Sequence, residues 1–317
     1  MKQDKIITKV AGVDVGKHHL DVAVHGLEQQ IQVCNGAVGL SELVAWLKAR
    51  EVGRVGLEAS GGYERAAVEA LGAAGFEVVL HQPLEVRLFA RLKRQRAKSD
   101  RIDARVIAAA TTQVEAVRAA QDTRLQGLAE RLTAYEQITD QLAALKTFME
   151  HVTLKDVARS LKAQIASLGR LKARLAANIL KAIKAQPDLL ARLRLLLSLP
   201  GVGPVVAMAL VIRMPELGSM KRGQAASLLG VAPFDRDSGQ FKGLRFIQGG
   251  RGRARRLVYL AGVTAKRFDI GFRTFAERLA ERGKPPKVIT VAVMRKLIEA
   301  ANLVLGRGQP WVKQPQS

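Results

Sequence analysis

The chain is poor in aromatic residues and almost devoid of cysteine. Its 317 residues include nine Phe, three Tyr, two Trp and the single Cys34. So few rings argue against a single-strand binder that stacks bases on aromatic platforms. One thiol excludes a disulfide framework and a cysteine-built zinc site. No histidine follows His151, so a serine in the C-terminal half has no local imidazole to act as its base. Met1 to Lys9 is polar and no apolar leader follows, so a secretory signal is not expected. The longest uncharged run, Leu195 to Ile212, is 18 residues, the lower limit for a membrane span. Its centre is Pro200-Gly201-Val202-Gly203-Pro204, which breaks any helix there. A buried pair of short helices is expected, with no membrane association and a cytoplasmic location.

Positive charge is what the chain has in excess. It carries 51 Lys and Arg against 28 Asp and Glu, a net +23, while 48% of its residues are hydrophobic. That is ample for a core, so this is no disordered basic tail, and a polyanionic partner is expected. Residues 1–122 carry a net +2, residues 123–192 a net +6 and residues 193–317 a net +15. The main nucleic-acid surface is therefore expected in the last third. A second patch runs from Arg87 to Arg105, with eight cations and only Asp100 and Asp103 as acids.

The first part alternates strands and helices. Ile6–Val15, His19–Val24 and Gln30–Val33 read as strands, Leu40–Arg50 as a helix and Val52–Ala59 as a buried strand. A helix over Tyr63–Ala74, a strand over Phe76–His81 and a helix opened by Pro83 follow. A meander followed by strand–helix units is the chain order of ribonuclease H-like folds. No proline lies between Pro83 and Pro187. There, apolar residues recur at Leu125, Leu128, Leu132, Tyr135, Ile138, Leu142, Leu145 and Met149, close to a heptad seam. A second run, Leu161 to Ile183, follows a break near Val152–Lys155. These read as two long helices, either an antiparallel hairpin or a dimerising coiled coil. The third part is helical from about Leu193. It closes with a helix over Val288–Leu305 and a frayed tail from Gly306.

Four acids stand out. Asp14 in VDVGK and Glu58 in GLEAS end two strands, and Asp100 and Asp103 in KSDRIDAR share one face of a helix. In a ribonuclease H-like sheet the first and fourth strands are neighbours, and the acids would converge beside them. Converging carboxylates repel one another unless cations neutralise them. An all-oxygen set favours Mg²⁺ or Mn²⁺ over Zn²⁺. Each acid also has a plainer reading, as a turn opener, a surface acid, a helix cap or an arginine partner. Flanking Lys98 and Arg101 are candidate phosphate contacts. LPGVGPVVA (199–207) has the form of a helix–hairpin–helix, with Gly201 and Gly203 letting backbone N–H groups approach phosphate; a plain interhelical turn is the alternative. In APFDRDSGQFKGLRFIQGGRGRARR (232–256), Ser238 is a phosphate contact, a cap or a nucleophile. Lys242, Arg245, Arg251 and Arg253 are candidate backbone contacts there. The stretch contains neither phosphate-loop nor dinucleotide-binding glycine motif.

Taken together these segments resemble the DEDD transposases of bacterial insertion sequences, the insertion-sequence one-ten family, over almost the whole chain and in the family's order. The resemblance implies a RuvC-like, ribonuclease H-type α/β domain over 1–122, coiled-coil helices over 123–192, and a mainly α transposase domain over 193–317 carrying a helix–hairpin–helix-like motif. It implies that Asp14, Glu58, Asp100 and Asp103 hold Mg²⁺ at the scissile phosphate, with Mn²⁺ as the other candidate, and that Ser238 forms a phosphoserine link to DNA. It further implies a site shared between protomers of a dimer or tetramer, donor and target duplex DNA as substrates, and a structured guide RNA encoded by the element. A junction-type metal endonuclease using water as nucleophile, and a non-catalytic nucleic-acid scaffold, stand as the other readings.

Overall fold

The computed structural model describes residues 9–93, 100–115, 122–234 and 245–312, with the side chains of 100–102 also outside the description. The chain forms two compact units, Met1–Gln121 and Asp122–Ser317.

The first unit is built on strands β1 (Lys9–Val15), β2 (His19–Val24), β3 (Gln30–Cys34), β4 (Val52–Glu58) and β5 (Glu77–His81). Their order is β3-β2-β1-β4-β5; β1 pairs antiparallel with β2 and parallel with β4. The expected adjacency of the first and fourth strands is present. Side chains alternate between faces. Odd-numbered β1 residues Ala11, Val13 and Val15 pack with Leu40, Leu43 and Leu47 of α1 (Ala37–Lys48) and with Ala67 and Leu71 of α2 (Arg65–Ala73). The opposite face is covered by α4 (Asp100–Thr111), which follows α3 (Pro83–Leu92). Helix α4 sits so close that a β-carbon at Gly12 would collide with the Ala104 carbonyl, and one at Gly56 with the Thr111 hydroxyl.

The second unit opens with α5 (Thr123–Met149) and α6 (Lys155–Lys184), two long helices broken where expected and packed on each other. They share one core with α7 (Pro187–Leu197), α8 (Pro204–Arg213) and the later helices. Leu125, Leu128, Leu132, Ile179 and Ile183 meet Val206–Ile212 of α8 and Val293, Met294 and Leu297 of the last helix there. The short α9 (Gln224–Leu229) leads into a two-stranded ribbon, β6 (Pro233–Phe234) with β7 (Phe246–Ile247). Helices α10 (Gly252–Phe268), α11 (Ile270–Glu281) and α12 (Pro286–Arg307) complete the unit.

The uncharged run resolves as expected into α7, a turn and α8, and among the described residues no helix is long and apolar enough to cross a membrane. The tail departs from expectation. Residues after Gly308 do not fray through Trp311, whose N–H donates to the Ser198 hydroxyl at 2.7 Å and whose ring stacks on Phe272 with centroids 6.4 Å apart. A large aromatic offers enough apolar area to hold a chain end that polar neighbours would release.

Candidate nuclease site and basic segment

Two strand-end acids come to one edge of the sheet. Gly12 and Gly56 both face α4, so Asp14 and Glu58, two residues further along β1 and β4, point to the same side. The parallel register aligns Val13 with Leu57, and the next step on each strand is Asp14 and Glu58. Across β1 stands Asp21, paired with Asp14, and beyond it Gln32; on the other side Glu58 pairs with His81. A polar row, Gln32, Asp21, Asp14, Glu58 and His81, thus crosses all five strands at one end of the α4 face.

Helix α4 packs on the face that Asp14 and Glu58 share. Thr111 lies over Gly56, and the Val114 carbonyl beyond it accepts from Arg54 Nη1 at 2.7 Å. Gly12 and Gly56 are register partners, yet Ala104 and Ala108 lie over the first and Thr111 over the second, so α4 crosses the strands obliquely. Asp100 and Asp103 stand in its first turn, just ahead of Ala104. Asp14, Glu58 and Asp103 are half-buried, and each is already engaged by a polar or electrostatic partner. Asp100 and Arg101 lie on α4 with side chains outside the description, and Lys98 lies outside the described residues. Among the described residues no three Asp, Glu, His or Cys side chains approach closely enough to enclose an ion. The donors on this edge are nonetheless carboxylate oxygens, the chemistry that suits a hard divalent cation.

Several supports of this edge were not singled out by motif. Asn35 Nδ2 donates to the carbonyls of Gly16 and Tyr63 at 3.0 and 3.1 Å, tying the loop after Asp14 to the loop after Glu58. Glu64 Oε2 accepts from Ser60 N, Ser60 Oγ and Gly62 N at 2.8–3.0 Å. Burial alone would raise the Glu64 pKa, but the donors around it more than compensate and hold it below the usual carboxylate range. Asp21, only 8% exposed, accepts from Gln32 Nε2 at 3.0 Å. The signal for Glu64 was its place just after Ser60-Gly61-Gly62; Asn35 and Asp21 carry no local signal, because register alone gives them their neighbours.

In the second unit, Ser238 and Lys242 lie outside the described residues, within the connection between β6 and β7. The base of that connection is held firmly. Pro233 pairs with Ile247 and Phe234 with Phe246. Gly230 and Gly250, both with positive φ, approach too closely to admit a β-carbon. Arg255 Nη1 donates to the Gly249 carbonyl at 2.6 Å and the Gly230 carbonyl at 3.2 Å.

The basic segment beyond is largely paired within the protein. Arg251 makes a two-pronged contact with Glu216 and also donates to the Arg213 carbonyl at 2.6 Å. Arg253 Nη1 reaches Glu136 at 2.9 Å, and Arg256 reaches Asp140 at 2.9 Å. Arg245 is exposed and has a partner of its own. Gly201, at φ +75°, packs on the backbone of Ala261 and Ala265 in α10, whereas Gly203 stands in open space as the residue before α8.

Comparison with known proteins adds an identity to this geometry. A transposase model of the DEDD type of IS110 matches residues 11–158, and a model of the transposase IS116/IS110/IS902 family matches residues 193–277. The chain is similar to the pilin gene-inverting proteins of Moraxella bovis and Moraxella lacunata, each 24% identical over 96% of this chain and 97% of the relative. Among solved structures, T. thermophilus RuvC in complex with Holliday junction substrate is similar over 32% of this chain and 91% of that one, at 18% identity and a TM-score of 0.27. Since the two models take up successive parts of the chain in their proper order, the chain belongs to the IS110 family of transposases and is a DNA transposase and recombinase.

Proposed function

We propose that this transposase cuts and rejoins DNA through a phosphoserine link formed by Ser238, with Asp14, Glu58, Asp100 and Asp103 holding a divalent cation, Mg²⁺ or Mn²⁺, at the scissile phosphate. What supports the reading is that Asp14 and Glu58 share a face and an edge of the sheet, and that Asp100 and Asp103 open the helix packed on that face. The cation supplies positive charge against the phosphate oxygens. The protein's acids position it, and Asn35 and Glu64 fix the loops that carry two of them. Ser238 Oγ then attacks phosphorus and forms a P–O bond while one strand oxygen leaves. The serine proton passes to solvent, and the departing strand end takes a proton to become a hydroxyl. Attack by a strand hydroxyl on the phosphoserine reverses these events and seals a new junction.

In this reading residues 1–122 are the nuclease domain, 123–192 a coiled-coil region that joins protomers into a dimer or tetramer, and 193–317 the domain that delivers the nucleophile. The helix–hairpin–helix-like turn at Gly201 and Gly203, together with Lys98, Arg101, Lys242, Arg245, Arg251 and Arg253, contacts nucleic-acid backbones. A structured guide RNA from the element selects donor and target DNA, leaving the protein to hold backbones. The test is a covalent adduct. Protein incubated with element-end duplexes and Mg²⁺, then digested and analysed by mass spectrometry, should yield a nucleotide-bearing peptide that contains Ser238. Strand cleavage that persists in Ser238→Ala without any adduct would assign the nucleophile to water.

A further inference from the structure

We propose that the outer face of α6 is a backbone track for duplex DNA. Helix α6, Lys155–Lys184, carries eight cations and one acid, Asp156, whereas its hairpin partner α5 carries three cations and three acids. At ~100° per residue, seven of the eight fall in an arc of about 120°: Lys155, Arg159, Lys162, Arg170, Arg174, Lys181 and Lys184. The apolar stripe of Leu161, Ile165, Leu168, Leu175, Ile179 and Ile183 lies on the opposite side, toward the hairpin and core. All seven cations are exposed, and among the described residues none of their side chains has a hydrogen-bond or ion-pair partner. The eighth, Lys172, lies off this arc and rests over the Tyr135 ring at 5.1 Å.

The contrast with the start of α10 singles out α6 as an additional phosphate surface. Arg251, Arg253 and Arg256 hold Glu216, Glu136 and Asp140. A phosphate drawn to them must compete with a carboxylate already in place. The α6 cations have no such rival, so neutralising phosphates there releases counterions at no cost in broken pairs. The other residues on the same arc are the exposed Ala163, Ala166, Ala173 and Ala177, with Asp156 at one margin and the partly buried Leu180 at the other. Small side chains let a sugar–phosphate backbone approach the helix. Thirty residues extend ~45 Å, more than one ~34 Å turn of duplex. A ridge of that length and charge fits duplex DNA, the substrate class of a DNA transposase.

This inference requires only that the enzyme grip DNA; it does not depend on Ser238 or the acidic residues. The test reads binding, not cleavage. Full-length protein is titrated with a 40-base-pair duplex DNA of random sequence over a range of salt. The fourfold variant Arg159→Gln, Lys162→Gln, Arg170→Gln, Arg174→Gln should lower the slope of log affinity against log salt by about 3 to 4, since each lost phosphate contact removes ~0.9. In parallel, Lys155, Lys162, Lys181 and Lys184 of the unaltered protein should be shielded from acetylation by the duplex, a readout that does not depend on a variant folding. An unchanged slope with these lysines unshielded would overturn the proposal. A slope change seen only with a base-paired RNA hairpin would overturn the DNA assignment and give the ridge to RNA.

Discussion

Gly12 lies directly beneath Ala104. No side chain fits between them, because a β-carbon at residue 12 would meet the Ala104 carbonyl and the backbone of Ala108. The absence of a side chain in β1 thus sets the height of the helix that carries Asp103. Gly12→Ala should cost stability at the upper end of the ~1–3 kcal/mol range for overpacking, since the obstacle is backbone and cannot rotate away. It should also reduce strand cleavage by lifting α4. Gly72→Ala in α2, where nothing lies within 4 Å, should stabilise the same unit by ~0.5–1 kcal/mol. Urea titrations of the two variants, followed by Trp46 fluorescence, give opposite signs if this geometry is right.

Asp103→Asn keeps the shape of the side chain and removes its charge. We expect strand cleavage to fall to background while affinity for DNA changes little. Cleavage assays run beside binding titrations separate the two effects, and a fully active variant would remove Asp103 from the site.

Among the described residues of the second unit Glu136 is the buried acid, 2% exposed, with Arg213 at 3.0 Å and Arg253 at 2.9 Å. Burial draws the Arg213 pKa down and the nearby Glu136 charge opposes that. Replacing Glu136 with Leu leaves two guanidinium groups without their counter-charge. Breaking a buried pair from one side costs about 3–5 kcal/mol; because Arg253 is half exposed, we expect the low end. Asp140→Ala breaks a pair in which both partners are about half exposed and should cost under ~1 kcal/mol. Denaturation monitored through Trp311, with Trp46 replaced by Phe, should rank the two variants in that order.

His81 provides a pH test of the first unit. Its Nε2 lies 2.8 Å from Thr111 Oγ1, whose own hydroxyl donates to the Ile107 carbonyl at 2.6 Å, so the ring nitrogen carries the hydrogen. Burial lowers its pKa below the ordinary 6.5, with nearby Glu85 opposing. Between the lowered folded value and 6.5 the unfolded chain binds more protons, so stability declines as pH falls through that window. His81→Gln should be less stable at pH 7 yet lose less on acidification to pH 5.5. Identical pH slopes for the two proteins would contradict this assignment.

The sequence carried the fold of the first unit well, for a definite reason. Alternation in β1 and β2 marks which residues face α1 and which face α4, and Pro83 opens α3 where expected. The seam of α5 is equally plain, since Leu125, Leu128, Leu132, Ile138 and Leu142 are all buried. What pattern reading cannot supply is the partner across a long separation. Arg253 and Glu136 are 117 residues apart and Arg251 and Glu216 are 35 apart. A count of charge by segment therefore overstated the cations of the last third that remain free of internal partners. The same count spread the charge of α6 over a longer window that includes the neutral α5. For the site, motif spacing singled out Asp14 and Glu58, while Asp21, Asn35 and Glu64 join that edge through strand register and loop closure, which no short motif encodes.

The shared packing of α5 and α6 with the helices that follow has a practical corollary for dissecting the enzyme. A gene fragment that starts at codon 193 would discard six buried aliphatic side chains that line the interior of what remains, and its product would be prone to aggregate. Severing the chain between Gln121 and Asp122 instead leaves each half with its own complete interior, so separate expression and recombination of the two halves should begin at that junction.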